Sequence, residues 1–150
     1  MITLPTLRHF IDRSQESVLQ KQVAETLMFA KQAAVASRTP IAVCMSNNTS
    51  QCDNGNRYLL VFKDAFHDAN LHDKKQLVTI TSIALQNSQL HLRSFPLYRA
   101  AMLFLPTNNE RADNGTWWYC NHDSPRWAIV VTAFGEVRLL NQKQVGYLHC

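Results

Sequence analysis

The chain has 150 residues, of which 46% are hydrophobic and 17% charged, enough for one domain with a real core and unlike either a disordered tail or a membrane-embedded bundle. Fifteen Lys and Arg against eleven Asp and Glu leave a formal charge of +4, scattered along the sequence, a balance that suits acidic partners without marking a nucleic-acid-binding protein. No apolar run reaches the roughly 18 residues of a membrane span.

In chain order, residues 4–37 lack Gly, stop before Pro40 and are rich in Ala, Gln, Glu, Leu and Lys, which predicts one long helix. Its second half carries Val23, Leu27, Ala30, Ala34 and Ser37 at spacings of four and three, a stripe whose small members let a neighbour approach closely. The first half is mostly polar and leaves Leu7, Phe10, Ile11, Val18 and Leu19 as its apolar contacts. That half is expected to project beyond the body and to need partners. After Pro40 the period shortens and β-branched and aromatic residues gather at 41–45, 58–62, 77–85, 90–95, 101–105, 116–120 and 127–140, the pattern of strands. Turn-rich stretches at 46–56, 64–73 and 108–115 separate them. One helix (1–38) followed only by strands (39–150) implies a single α+β domain, the helix covering one face of a mostly antiparallel sheet.

Four cysteines, Cys44, Cys52, Cys120 and Cys150, suit a disulfide framework in an oxidising compartment. Pairing Cys44 with Cys52 closes a short polar ring and stabilises by about 2.5 kcal/mol in the loop-entropy model, while Cys120 with Cys150 gives about 3.5 kcal/mol. These pairings are favoured over the two other connectivities, which stay open. Metal or redox chemistry is disfavoured, because there is no Cys-x-x-Cys and Cys44 lies in an apolar strand. An export signal should accompany such cysteines, so a removed upstream segment is expected.

His67, Asp68, Asn70, His72 and Asp73 are the densest set of potential metal ligands, yet a solvated loop explains them as well, and the glycine of a calcium loop is absent. His91 and His122 read as structural. No nucleophile elbow, His-Glu-x-x-His or phosphate loop occurs, so no enzyme and no cofactor is expected. Asp113, Asp123 and Glu136 are taken as surface charge. Trp117 and Trp118, being adjacent in a strand, must face opposite sides, so one of them is core at most. Asn114-Gly115-Thr116 has the form of a glycosylation sequon and is expected to be a turn.

Residues 23–52, VAETLMFAKQAAVASRTPIAVCMSNNTSQC, resemble the helix, strand and cysteine loop of the GspH/FimT family of minor pilins and pseudopilins. Three further segments match in order: YLLVFKDAFHDANLHDKKQL at 58–77, without the family's usual Gly; 102–120; and AIVVTAFGEVRL at 128–139, like the family's last hairpin. Four motifs in order weigh far more than one. The resemblance implies a type IV pilin-like fold, and it makes Pro5 a kink in a helix whose hydrophobic first half lies upstream. It further implies a structural minor pilin of a type IV pilus, contributing to a tip or priming complex and to assembly. Alternatives are a DNA-binding minor pilin for natural transformation or a tip pseudopilin of type II secretion. Disulfides favour the pilus. Implied partners are other major and minor pilin subunits, which would pack on Leu7, Phe10, Ile11 and Val18, and the inner membrane. Implied localisation is an inner-membrane anchor with a periplasmic domain before assembly and an extracellular pilus after it. DNA-binding members carry Gly-Arg-x-Arg in the last hairpin; here the residues are Gly135-Glu136-Val137-Arg138. With Arg138, Lys143 and Arg126 as its contacts, DNA binding is expected to be weak and nonspecific.

Overall fold

A computed structural model describes residues 4–68, 70–83, 88–95, 100–107 and 112–150 of the chain; the side chains of residues 4–6, 8–10, 12 and 88 lie outside the description. Helix α1 spans Leu4–Ser37. Its end is a Schellman turn: Arg38 takes φ 52° and the Thr39 N–H donates to the Ala34 carbonyl at 3.3 Å, after which Pro40 bars further helix. The buried stripe is Leu19, Val23, Leu27, Ala30 and Ala34. Ser37, expected in that stripe, is exposed and returns its hydroxyl to the Ala33 carbonyl at 2.7 Å, because the capping turn leads the chain away there.

The strands form two four-stranded antiparallel sheets rather than one. In the first, β3 (Leu77–Ser82), β2 (Tyr58–Lys63), β1 (Ile41–Ser46) and β5 (Ala101–Phe104) lie side by side in that order. In the second the order is β4 (Ser88–Phe95), β6 (Asn114–Asn121), β7 (Ser124–Val131) and β8 (Val137–Leu140). The apolar stretch at 127–140 is the β7–β8 hairpin that the resemblance implies, and not one continuous strand; it is turned by Gly135 at φ 85° with the Thr132 N–H donating to the Glu136 carbonyl. The far end of the expected strand at 77–85 lies outside the described residues.

One core is shared by α1 and the facing sides of both sheets: Val23, Leu27, Ala30, Ile41, Val43, Met102, Trp117 and Ile129 are all fully buried in it. Full burial of each large apolar side chain contributes about 1.5–3 kcal/mol. Ala30 and Ala34 let the helix lie close over β1, whose opposite side, through Ala42 and Cys44, packs into a second cluster with Leu60, Phe62 and Leu103. β1 is thus covered on both faces, which accounts for its continuous apolar run. Behind the second sheet the C-terminal residues Val145 and Leu148 cover Ala128, Trp118 and Leu140. Trp117 is core and Trp118 is on this opposite face, as strand alternation requires.

Gly115 sits inside β6, not in a turn. A Cβ there would lie 2.1 Å from the Arg93 carbonyl oxygen, so β4 comes too close for any side chain, and the sequon-like Asn114-Gly115-Thr116 is strand. Asp113 is likewise not surface charge: it is buried, and its Oδ2 accepts the Leu103 N–H at 2.9 Å.

Candidate functional site

Glu16 divides the helix into two working parts. One carboxylate oxygen accepts from Asn121 Nδ2 at 3.1 Å and the other from Arg126 Nε at 3.2 Å, so the helix is pinned to the β6–β7 hairpin at this residue. One turn on, Gln20 Nε2 donates to the carbonyls of Ala128 and Leu140. N-terminal to the pin, about 12 residues rising about 1.5 Å each carry the helix about 18 Å further. Leu7 and Ile11 are exposed there, and Val18, just past the pin, is 62% exposed. These three share one face with Phe29, since separations of four, seven and eleven are near-whole turns. The side chain of Phe10 lies outside the described residues. An exposed apolar stripe thus lies on the side of the helix away from the buried one.

The second candidate surface is the outer side of β4-β6-β7-β8. Register places Arg93 opposite Thr116, Thr116 opposite Val130, and Val130 opposite Arg138. Both arginines are exposed, and three interstrand spacings of about 4.8 Å set their backbones about 14 Å apart. Arg93 was not singled out from the sequence, because only the register brings it into the row of Arg138. Lys143, exposed in the short 3₁₀ turn Gln142–Gln144, follows β8. Arg126, expected to join these cations, is held by Glu16 and its side chain is only 20% exposed. Glu136 lies in the turn, its N–H donating to Thr132 Oγ1 at 3.1 Å, and no ion pair joins it to Arg138 among the described residues. Beside the row, His91 stacks on Trp118 with ring centroids 5.1 Å apart, and burial pushes its pKa down.

The loop after β2 holds His72 Nε2 against Asp68 Oδ2 at 2.6 Å. That hydrogen bond, first, lowers the Asp68 pKa. Among the described residues no three His, Cys, Asp or Glu side chains converge to hold a metal ion. The cysteines bond as Cys44–Cys52 and Cys120–Cys150, with Cα atoms 5.7 and 6.0 Å apart. Just outside the loop that the first bond closes, Asp53 Oδ1 accepts from the Asn47 and Gly55 amides, both at 2.9 Å. The second ties the C-terminus under β6, where Trp118 Nε1 donates to the His149 carbonyl at 3.0 Å.

A family model described as "Type II transport protein GspH" matches residues 20–135. The type IV minor pilin FimU of Pseudomonas aeruginosa has a similar structure, with a TM-score of 0.63 at 10% identity over 89% of this chain and 94% of that one. The minor pseudopilin EpsH from the type II secretion system of Vibrio cholerae gives 0.57 at 13% identity, covering 85% and 94%. No curated protein matches the chain in sequence.

Proposed function

The chain belongs to the GspH family of minor pilins and pseudopilins, and on that premise we propose that it is a non-catalytic structural subunit of a type IV pilus, joining a tip or priming complex. Within such a machine its body would face the periplasm from an inner-membrane anchor before assembly and lie outside the cell afterwards. The observation that carries the assembly role is the division of α1 at Glu16, with a buried stripe behind it and the exposed Leu7, Ile11 and Val18 on the opposite face. Isolated apolar residues at this spacing are too sparse for a self-sufficient coiled coil, so they favour a mixed assembly over a helical dimer. Two disulfides in a chain of 150 residues favour an exposed pilus over the secretion machine.

The test uses the full-length protein in cells that build the machine. Changing Ile11 and Val18 together to Lys should cut the amount found in sheared filaments at least tenfold. The melting temperature should stay put, since exposed substitutions cost within about 0.5 kcal/mol. Normal incorporation of the double variant, or a helical dimer of the isolated domain in light scattering, would rule the assembly role out.

A second reading, contact with DNA, is supported by the single row that carries Arg93 and Arg138. Three phosphate contacts, from these two and Lys143, give a slope of about −2.7 in log K against log salt. Binding to duplex DNA is therefore expected to be weak, nonspecific and lost near physiological salt. Arg93→Ala and Arg138→Ala should each weaken it, and Glu136→Arg should strengthen it. Tight binding by the unaltered protein at moderate salt, untouched by the two alanine variants, would place the contact elsewhere.

A further inference from the structure

Each sheet has two outer strands, and they are not treated alike. The outer edge of β5 is closed by Asp113, whose carboxylate accepts the Leu103 N–H and whose own N–H donates to the Leu103 carbonyl. β4 has its Leu90 N–H taken by Asn56 Oδ1 at 2.8 Å, and β8 is only four residues long. Edge strands are commonly blunted in such ways, because an open row of N–H and C=O groups is a template for another strand.

β3 differs along its second half: among the described residues no side chain closes its edge at Ile80, and its one irregularity, the register shift opposite Val61/Phe62, falls before Thr79. The strand runs Leu-Val-Thr-Ile-Thr-Ser, without a charge or a proline, and every one of its first five residues except Leu77 is β-branched. The Ile83 N–H donates to the Arg57 carbonyl at 2.9 Å, making Arg57 and Ile83 a hydrogen-bonded pair. Alternation along an antiparallel ladder then turns the N–H and C=O of Ser82 and Ile80 outward. The Ser82 carbonyl meets Gln22 Nε2 at 3.4 Å, at the strand's very end. Ile80 has no such partner among the described residues, and its side chain is 43% exposed.

Beside this edge runs a groove of about 290 Å³ between β3 and α1, lined by Gln22, Glu25, Thr26, Phe29, Thr79 and Thr81. A strand laid on β3 would send alternate side chains into that groove and the others alongside Ile80. Phe29 belongs to the solvent-facing stripe of Leu7, Ile11 and Val18, so the groove continues the surface assigned to neighbouring subunits.

We propose that the open edge of β3 accepts an extended segment of a different, neighbouring pilin subunit, which pairs with Ile80 as an added strand. This extends the assembly role proposed above and rests on it. Main-chain hydrogen bonds would supply the affinity, and the groove the choice of side chain.

Two variants of the full-length protein test it in cells. Ile80→Lys places a charge on the edge while leaving the bonds to β2 in place, and Ile80→Pro removes the outward N–H where an edge strand tolerates proline. Both should melt close to the unaltered protein and enter filaments at least fivefold less. A photo-crosslinking amino acid at position 80 should bond to an extended segment of another subunit, identified by mass spectrometry of the joined peptides, and one at position 11 should bond to a partner helix. Crosslinks at 11 with none at 80, or normal incorporation of both variants, overturn the β3 site and leave the helix role standing. Crosslinks at 80 only to a second copy of this chain also overturn it. Absence of crosslinks at both positions sinks the assembly role itself.

Discussion

Replacing Cys150 with Ser should lower the unfolding free energy by about 3.5 kcal/mol, the loop entropy released when a bond across residues 120–150 is lost. For a domain of this size that shifts the melting temperature down by about 10 °C. The loss is local as well as global. The tail between β8 and Cys150 carries Val145 and Leu148, which cover Ala128, and the His149 carbonyl that holds Trp118 Nε1. Once the tail is free to leave, Trp118 should meet water and its fluorescence should move to the red. Cys52→Ser opens the shorter ring and should cost less, about 2.5 kcal/mol, without changing Trp118. Peptide mapping under non-reducing conditions is the direct check. Four free thiols, a crossed pairing, or an unchanged melting temperature in Cys150→Ser would contradict the pairing Cys120–Cys150.

Glu16→Ala should cost about 3 kcal/mol. Its carboxylate and Arg126 are only 12% and 20% exposed at the side chain, and removing one partner of a covered ion pair strands the other charge. Asn121 loses its acceptor at the same time. The effect has a signature that distinguishes a stranded charge from lost packing: adding Arg126→Met to Glu16→Ala should recover most of the deficit, giving strong coupling in a double-mutant cycle. Hydrogen exchange should also speed up at Gln20 and the residues before it, because the pin that holds the middle of the helix against the β6–β7 hairpin is gone. A cost below about 1 kcal/mol, the range for an exposed pair, would mean the pin contributes little.

Both substitutions concern residues that the sequence exposed unequally. The cysteines announce themselves by type and loop length, whereas nothing near Glu16 in sequence indicates Arg126 or Asn121. The same divide runs through the rest of the molecule. Helix α1, the switch to strands after Pro40 and the opposite faces of Trp117 and Trp118 were all legible, because helix propensity and strand alternation act within a few residues. The family could be named for a related reason, since its motifs are local runs in fixed order. Local signals stop where pairing begins. The division of the strands into two sheets, the burial of Asp113 against Leu103, the placing of Gly115 under the β4 backbone and the outer position of β3 are decided by which strands become neighbours. Arg93 joins Arg138 only through a register that crosses four strands, and Arg126 is withdrawn from the same surface by a helix residue far from it in sequence. Register is fixed by the collective burial of one face of each sheet, so the free or engaged state of each cation is a property of the packed whole.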